Sequence, residues 1–441
     1  MTRRLSLLVL VSVVVASFFA VRIFEPPIRP SHPCTVEAVV KEVRRNGFAM
    51  DLRAGDMMIR YYGEVGDLRA GDLVRASGYC TDVRDPSGKY YSPSYARYLT
   101  SQGIYHKVDA KKLETIEKRY DLYTLRHDVL RFAEAKLEAM YGKDAPMIKA
   151  LVYGDRSEMS DELTDLFSKS GTAHILALSG FHVGILAAAV HVLFAKQSVR
   201  TRGIGVCLVL ITYAFLTGLR PSILRAVIFF ALYYLAFLQT EKFDLFSASA
   251  MTASFLLVLD PRDLYDRGFV LSFVGVFSIA LFYIPFRRLF KSRRSGSHPI
   301  VEAVSLTLAA QVLTLPLGWY YFGRISLVSV LSNLVVVPLI SLMMILAILS
   351  IFVHTLSLIV PLFYAVDPGL IASVRFLQDI VLEANRFFAG LPYAYLDPKK
   401  PSLAELMLVY AVILALYLLW ELYMIKENRY EPQRIKKVII E

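Results

Sequence analysis

The stretch LVYGDRSEMSDELTDLFSKSGTAHILALSGFHVGIL, residues 151–186, combines charged groups with the start of a long apolar segment. Its second half carries Ser170, Thr172, His174, Ser179 and His182 among residues that are mostly apolar. Polar side chains in a spanning helix usually face the interior of a bundle or a water-filled cavity, because hydrocarbon does not solvate them. The stretch therefore predicts a helical membrane bundle with polar groups inside it.

The composition of the whole chain agrees with a membrane protein. Of the 441 residues, 56% are hydrophobic and only 20% are charged, and the mean hydropathy is +0.48. These values are too apolar for an ordinary soluble enzyme of this size. The pattern predicts a polytopic α-helical protein with about 9 to 11 spans of bilayer length. After an N-terminal anchor run from Leu5 to Phe24, we place them at 172–195, 203–219, 222–239, 245–259, 269–286, 301–320, 326–353, 355–372 and 403–424.

Two later regions leave the number of crossings open. The 326–353 run holds Asn333 and Pro338, so it is either one tilted helix or a broken, re-entrant pair. Residues 374–390 carry several charges and are predicted to lie at the membrane surface.

The basic residues predict the orientation of the chain. Lys and Arg gather in short cytoplasmic loops, and here they gather at the N-terminus, in 196–202, in 287–298 and after residue 425. Both termini are therefore predicted to be cytoplasmic, with residues 33–170 outside. The net charge of +11 fits this rule, and it also fits a polyanionic partner.

Residues 31–118 are predicted to form a small extracytoplasmic β-barrel of the OB-like kind. Short alternating segments are separated by turn signals such as Asn46-Gly47 and Pro86-Ser87-Gly88, and about five strands of this size are typical of that barrel. Cys34 and Cys80 fall in this domain. In an oxidising compartment they are predicted to form a disulfide, and two reduced thiols are the alternative.

Basic and aromatic residues interleave near the end of this domain. A sequence-tolerant single-strand binder needs such a mixture, because bases stack on rings while cations follow the phosphates. The alternative is that the tyrosines pack the barrel and hold it at the membrane interface. The candidate single-stranded DNA ligands are Arg84, Lys89, Tyr90, Tyr91, Tyr95, Arg97 and Tyr98.

The polar residues of the predicted bundle allow more than one chemistry. Ser179 and His182 share a helix face and superficially suit a hydrolase, but there is no Gly-x-Ser-x-Gly elbow, and both residue types also join helices by hydrogen bonds. His174 and His182 lack metal-site spacing, so no metal or cofactor is predicted. Arg220 and Arg225 either snorkel to headgroups or line a pathway for phosphates.

Five segments together resemble the ComEC family of competence proteins. They are YGDRSEMSDELTDLF with SGTAHILALSGFHVGIL, TGLRPSILRA, DPRDLYDRGFVLSF, QVLTLPLGWYYFGRISLVSVLSNLVVVPL and, in the outer domain, SPSYARYLTSQGIYHKV. The resemblance implies an inner-membrane channel for uptake of single-stranded DNA in natural transformation. The pathway-lining or structural candidates are then Asp155, Arg156, His174, Ser179, Gly180, His182, Arg220, Ser222, Arg225, Gln311 and Asn333.

The resemblance also carries expectations about domains. It implies an anchor helix at 1–30, the OB-like domain at 31–118, interfacial helices at 119–170, a competence-type channel domain at 171–425 and a basic cytoplasmic tail at 426–441. Many relatives continue into a metallo-β-lactamase-like domain, and no HxHxDH motif occurs among the eight histidines. We therefore expect a channel rather than an enzyme.

The expected partners are single-stranded DNA, the bilayer, an extracytoplasmic DNA-delivery protein and a cytoplasmic motor or single-strand-binding protein. A separate nuclease and a homo-oligomer are left open. The competing functions are transport of another polyanionic or lipid-linked substrate and, less favoured, an intramembrane hydrolase acting through Ser179 and His182.

Overall fold

The computed structural model describes residues 3–46, 49–63, 68–85, 93–238, 244–290, 298–357, 360, 363 and 365–426. Most of this part of the chain is helical. Its α-helices are α1 (Arg3–Phe24), α2 (Pro93–Ser101), α3 (Leu122–Tyr141), α4 (Ala145–Tyr153), α5 (Asp161–Ser170), α6 (Gly180–Leu193), α7 (Val199–Leu216), α8 (Pro221–Leu238), α9 (Leu245–Leu259), α10 (Arg267–Phe290), α11 (Pro299–Phe322), α12 (Ser329–Ser357), α13 (Asp367–Ala389) and α14 (Leu403–Lys426).

The described residues between 32 and 117 form a six-stranded sheet, where the alternating pattern predicts about five strands. Its core consists of the side chains that alternate inward, including Leu52, Ile59, Val74 and Val108, all fully buried. The strands are β1 (His32–Val39), β2 (Glu42–Asn46), β3 (Ala49–Ala54), β4 (Met57–Tyr62), β5 (Leu73–Asp82) and β6 (His106–Glu117). The spatial order is β1-β5-β6-β4-β3-β2, with β4 and β6 parallel and the other pairs antiparallel.

A disulfide joins the first strand of this sheet to the fifth. Cys34 on β1 bonds to Cys80 on β5, with 5.8 Å between their Cα atoms. The two strands are antiparallel neighbours, and Cys34 lies directly opposite Gly78, two residues from Cys80. The predicted disulfide is therefore present in the structure, and the remaining cysteine, Cys207, is a free thiol in α7.

Five described helices are long and apolar enough to cross a membrane by length and composition. They are Val199–Leu216, Arg267–Phe290, Pro299–Phe322, Ser329–Ser357 and Leu403–Met424. Four shorter apolar helices accompany them, at Leu5–Val21, Gly180–Leu193, Ser222–Leu238 and Leu245–Leu259. The mostly helical fold with a small sheet is thus that of a polytopic membrane protein.

The structure corrects the predicted crossings after residue 325. The 326–353 run is one continuous helix, α12, which accommodates Pro338 without breaking. The span predicted at 355–372 is wrong, because α12 ends at Ser357 and α13 begins at Asp367. The surface position of 374–390 stays a prediction: α13 packs along α12 and buries Val374, Leu377 and Val381 in a core cluster, and it is not among the described helices that are long and apolar enough to cross a membrane.

The helix α13 follows α12 along its length in the opposite direction. Near the end of α12, His354 contacts Asp367 at the start of α13, with 2.6 Å between Nδ1 and the carboxylate. Beyond the other end of α13, Ala394 accepts a backbone hydrogen bond of 2.8 Å from Leu327, just before α12. The charged residues that argued against a membrane position therefore lie on one face of a helix whose other face is buried.

The first of the helices predicted at 119–170 is α3, and it packs against the bundle. Tyr141 at its end is bonded to Ser350 of α12, with 2.6 Å between the hydroxyl oxygens. The following helix, α4, is buried at every position from Met147 to Val152. Its Lys149 donates to Glu138 of α3 at 2.6 Å and to Glu158 at 2.9 Å. These ion pairs fasten α3, α4 and the 154–160 loop together.

Candidate functional site

The sheet domain rests on one end of the helical bundle, beside the 3₁₀ helix Pro261–Tyr265 that links α9 to α10. Just after α2, the Gln102 amide donates to Asp266 at 3.0 Å. Arg126 of α3 donates to the carbonyl of Leu216 at the end of α7, also at 3.0 Å. This junction therefore brings the sheet domain to the ends of the helices that carry most of the candidate residues.

Two of the sequence motifs meet at this junction through Gly154 and Arg220. The Arg220 guanidinium donates to the carbonyl of Gly154 at 3.0 Å. Gly154 has a φ of +71°, and a Cβ there would lie 2.7 Å from Nη1 of Arg220 and 2.5 Å from Leu178. Only glycine adopts this backbone conformation and also leaves room for the Arg220 side chain. The contact with Arg220 of the TGLRPS segment therefore explains why the YGDR segment has a glycine at position 154.

Arg156 lies two residues after Gly154 in the chain, and its side chain is exposed to solvent. It lies in the same neighbourhood as Arg220, Tyr98 and His182. Its neighbour Asp155 caps the same loop by accepting from the backbone N–H of Ser157 at 3.0 Å. We call Tyr98, Arg156 and Arg220 the entrance cluster. These residues come from three separate segments of the sequence, and their association was not predicted.

Ser179 and His182 form a helix cap. Ser179 is the N-cap of α6 and accepts from the backbone N–H of Phe181 at 3.3 Å, while Nδ1 of His182 accepts from the backbone N–H of Ser179 at 3.3 Å. This reciprocal pattern is a capping box. Nε2 of His182 is buried without a hydrogen-bond partner among the described residues. The Ser179 hydroxyl oxygen also lies 3.3 Å from Nδ1 of His182, but among the described residues Nε2 has no partner that could act as the third member of a catalytic triad.

Arg225 lies inside the bundle and does not snorkel. Its side chain is only 3% exposed, and Nη2 donates to the carbonyl of Gly268 at 3.0 Å. The guanidinium carbon lies 5.3 Å from the ring centre of Phe269 and 5.9 Å from that of Phe273. Nε and Nη1 have no partner among the described residues. A permanently charged group thus keeps unused donors in the interior.

A cavity of about 460 Å³ adjoins Arg225 between α6, α8, α9 and α10. Its walls are mainly apolar and aromatic, and its polar lining besides Arg225 consists of hydroxyl-bearing side chains. The lining includes Gly180, Gly184, Phe229, Phe230, Tyr233, Ser249, Thr252, Ser272 and Phe273. Of the sequence candidates, Gly180 and Arg225 reach this cavity.

The other bundle candidates are placed apart from the cavity. Gln311 accepts a hydrogen bond of 3.3 Å from Ser329, which links α11 to α12. Asn333 lies on α12, and its side-chain oxygen is buried without a partner among the described residues. Ser222 is half-buried in the first turn of α8, and His174 is exposed in the loop before α6.

The candidate DNA ligands of the sheet domain divide into two groups. The rings of Tyr95 and Tyr98 are exposed and stacked on α2, with centres 6.0 Å apart, and Arg97 between them is exposed. Arg84 instead pairs with Asp82 at 2.7 Å and donates to the carbonyl of Pro26 at 2.8 Å. Its guanidinium therefore fixes the sheet to the segment after α1. Lys89, Tyr90 and Tyr91 lie outside the described residues.

Sequence reasoning missed several residues that build this region. Asp266 caps α10 by accepting from Phe269 N–H at 2.6 Å, while its other oxygen accepts from Gln102. The aromatic partners of Arg225 were also missed, although the DPRDLYDRGFVLSF stretch contains them. Within the described ranges, no group of three His, Cys, Asp or Glu residues is arranged to hold a metal ion.

Comparison with known proteins agrees with this arrangement of motifs. Residues 151–423, more than half of the chain, match the competence protein family. The chain belongs to the ComEC family of competence proteins. Its membership confirms the resemblance inferred from the five sequence segments, four of which lie within the matched region.

Three relatives illustrate the similarity of this competence protein to known members. It is 30% identical to ComE operon protein 3 of Bacillus subtilis over 252 residues, which cover 55% of this chain and 31% of the relative. It is 27% identical to Recombination protein 2 of Haemophilus influenzae, covering 51% and 30% of the two chains. It is 28% identical to Competence protein ComA of Neisseria gonorrhoeae, covering 44% and 28%.

This competence protein therefore spans less than a third of the length of each of those relatives. No solved structure matches it significantly. The printed names of the relatives refer to competence and recombination, and the family supports a membrane protein with a competence role.

Proposed function

We propose that this protein takes up DNA in natural transformation by conducting one strand across the inner membrane. The observation that carries the proposal is the entrance cluster. Arg220 donates to the carbonyl of Gly154, two residues before Arg156, and Tyr98 lies in the same neighbourhood, where the sheet domain meets the helices. A ring that stacks with any base beside cations that pair with phosphates is the chemistry of sequence-tolerant single-strand binding.

Two further features support the same function. The stacked rings of Tyr95 and Tyr98 stand exposed on α2, the helix next to the bundle. Arg225 and its cavity lie within the bundle, on helix α8, which begins at Pro221 immediately after Arg220. Cationic and aromatic groups therefore occur both at the junction and at membrane depth, as a route for a polyanion needs.

We infer that the sheet domain is an OB-like barrel. Only Val40 and Lys41 separate β1 from β2, and their backbone N–H groups bond to Asp72 and Arg53, in segments on opposite sides of the strand order. If β1 and β2 are two halves of one bent strand, the order closes into five strands with a parallel pair. An OB-fold presents such a barrel to single-stranded nucleic acid.

We also propose ten crossings, formed by α1 and α6 to α14, with both termini in the cytoplasm. Ser6 and Ser17 of α1 contact Ser247 and Leu257 of α9, so these two helices run in the same direction. The direction alternates from α6 onward, and α13 supplies the crossing that restores the C-terminus to the side of the N-terminus. The sheet domain then lies outside, where a disulfide is stable.

Other proteins would complete the process in this proposal. An extracytoplasmic protein would deliver the DNA, a cytoplasmic motor or single-strand-binding protein would draw the strand inward, and a separate nuclease would remove the second strand. The capping role of Ser179 and His182 gives no support to a hydrolase.

Transformation frequency tests the proposal in a strain that depends on this chain. Arg156→Glu should lower the frequency roughly tenfold or more, because a charge-assisted contact contributes about 1.5–3 kcal/mol. Arg386→Glu is the matched control, since Arg386 is also exposed and pairs with Glu383 on α13. Unchanged transformation by Arg156→Glu, at equal amounts of membrane protein, would count against the proposal.

Variants of Tyr98 distinguish DNA from other polyanions as the transported substrate. Tyr98→Phe keeps a stacking surface and should transform normally, whereas Tyr98→Ala should transform roughly tenfold less, because stacking contributes about 1–3 kcal/mol per base. A polyanion without bases needs no ring. Equal activity of the Phe and Ala variants would therefore favour transport of a different polyanion.

A further inference from the structure

We propose that the cavity beside Arg225 is a subsite for one nucleotide of the passing strand. The guanidinium would bind its phosphodiester, and the aromatic walls would hold its base without reading the sequence. This inference rests on the proposed function, because it names the ligand of one position along the same route.

The unused donors of Arg225 point to an anion. Arginine stays protonated in proteins, and a buried charge is costly unless it is paired. The carbonyl of Gly268 accepts a hydrogen bond from Nη2, whereas Nε and Nη1 have no partner within the described ranges. Asp263 and Asp266 are near enough for attraction, but neither forms a salt bridge with Arg225 in the described part of the chain. Both donors are buried in this conformation, so an anion in the adjoining cavity reaches them only when the guanidinium turns toward it.

The walls of the cavity restrict what can accompany that anion. Phe229, Phe230 and Tyr233 line it from α8, and Phe273 lines it from α10. The hydroxyls of Ser249 and Thr252 donate to backbone carbonyls of their own helix, at 2.7 and 2.8 Å, and so offer no free proton. A ligand with one anionic group and a flat aromatic part satisfies such a surface better than one with many polar groups.

The volume and position of the cavity agree with a single nucleotide. At about 460 Å³ it falls in the range of small-molecule sites. It runs along α8 from Arg225 to Tyr233, about 12 Å at the helical rise of ~1.5 Å per residue. Arg225 lies only five residues after Arg220 of the entrance cluster.

Gly184 allows the cavity to be closed without touching Arg225. A Cβ at Gly184 would have no heavy atom within 4 Å, and a Cβ at Gly180 would meet only Ala226 at 3.6 Å. Gly184 therefore contacts no neighbouring helix closely and instead leaves space in the wall. A larger side chain at this position would grow into the cavity, with no backbone strain from its helical conformation.

The test measures binding of two labelled oligothymidylates of about ten nucleotides to the full chain in lipid nanodiscs. One probe has a normal phosphodiester backbone, and the other has an uncharged methylphosphonate backbone. We expect wild-type protein to bind the charged probe more tightly. Arg225→Gln should weaken that binding roughly tenfold, since a hydrogen bond to a charged group contributes about 1.5–3 kcal/mol. Arg225→Lys should bind the charged probe with an affinity between those of wild type and Arg225→Gln.

Two glycine variants complete the test. Gly184→Leu should weaken binding of both probes, because it removes the space for the base. Gly369→Leu on α13 is the control, since a Cβ there also meets nothing within 4 Å. It should leave the binding of both probes unchanged. Unchanged affinity in both Arg225→Gln and Gly184→Leu would overturn the subsite. So would a phospholipid that copurifies with wild-type protein and is lost from Arg225→Gln, since the cavity would then hold a lipid headgroup.

The variant Arg156→Glu distinguishes a failure of this inference from a failure of the proposed function. If Arg156→Glu abolishes transformation while the cavity variants bind and transform normally, the nucleotide subsite is wrong and the uptake function stands. If neither set of variants lowers transformation, both proposals fail.

Discussion

The hydroxyl of Ser170 donates a hydrogen bond of 2.6 Å to the side-chain oxygen of Asn385, which lies 215 residues further along the chain. Thr172 donates to the same oxygen at 2.6 Å, and all three residues are fully buried. Ser332 of α12 adds a bond of 2.6 Å to the carbonyl of Ser170. This network fixes the loop before α6 between α12 and α13.

Asn385→Leu should therefore destabilise the bundle. Removing the acceptor takes one hydrogen bond from each of two buried hydroxyls, which keep only each other and the carbonyl of Phe167 as partners, and a typical hydrogen bond contributes about 0.5–1.5 kcal/mol. The measurement is thermal unfolding of the purified protein in detergent. Glu383→Gln, an exposed change on the same helix, is the control and should have little effect. Equal melting temperatures for Asn385→Leu and wild type would contradict the network.

Gly154→Ala should damage both the fold and DNA uptake. The substitution forces an alanine into a φ of +71° and places its Cβ against Arg220 and Leu178, and a left-handed non-glycine residue costs on the order of 1–3 kcal/mol. The melting temperature and transformation frequency should both fall. Gly55→Ala is the comparison, because Gly55 also has a positive φ, +62°, but open space around its Cβ position. A milder effect of Gly55→Ala would identify the steric contribution of the Arg220 contact.

Cys34→Ser should weaken the sheet domain. The bridge closes a loop with a sequence separation of 46 residues, for which the chain-entropy relation gives roughly 4 kcal/mol. Limited proteolysis of the full chain in membranes should show faster cleavage within residues 31–118, and a reducing agent should have the same effect on wild type. Cys207→Ser should leave the cleavage rate unchanged. A variant as resistant as wild type would show that the disulfide contributes little.

Asp263 should make stability depend on pH. Burial, followed by the neighbouring charge of Asp260, raises the pKa of Asp263 from 3.8 to about 6. The folded state thus binds this proton more tightly than the unfolded state. The stabilisation that protonated Asp263 contributes is fully present below pH ~4 and is lost as the pH rises through about 6. At pH 7.5, Asp263→Asn should melt higher than wild type by a few degrees, on the order of 1 kcal/mol.

The control for Asp263 is the same comparison at low pH. Below pH ~4 wild type carries a neutral Asp263, so the difference from Asp263→Asn should nearly disappear. A difference that is the same at both pH values would show that the carboxyl does not titrate in this range.

Local patterns predicted the sheet and its disulfide because the information is contained in neighbouring residues. Alternation placed the strands, and Cys34 and Cys80 fell in strands that proved to be adjacent. The packing of α13 against the bundle was not predicted, and the reason is physical. Average hydropathy over 374–390 is reduced by Arg375, Asp379 and Arg386, yet a helix separates its faces every 3.6 residues, and Val374, Val381 and Asn385 lie on the buried one.

The candidate site was predictable in its residue types but not in its geometry. The sequence identified Arg220 and Arg225 as either anchors in headgroups or interior groups, and spacing alone does not distinguish these roles. Burial by Phe269 and Phe273 decided between them for Arg225. The partner of Gly154 lies 66 residues away, so no local pattern reveals it.

The contact between Gln102 and Asp266 restricts how this protein can be recombined with its relatives. Asp266 also caps α10, whose first turn supplies the carbonyl that holds Arg225. A chimera that imports only the sheet domain from another species would bring a foreign surface onto this capping residue. Exchange should succeed more often when the donor's counterpart of DPRDLYD is transferred with the sheet domain as one cassette.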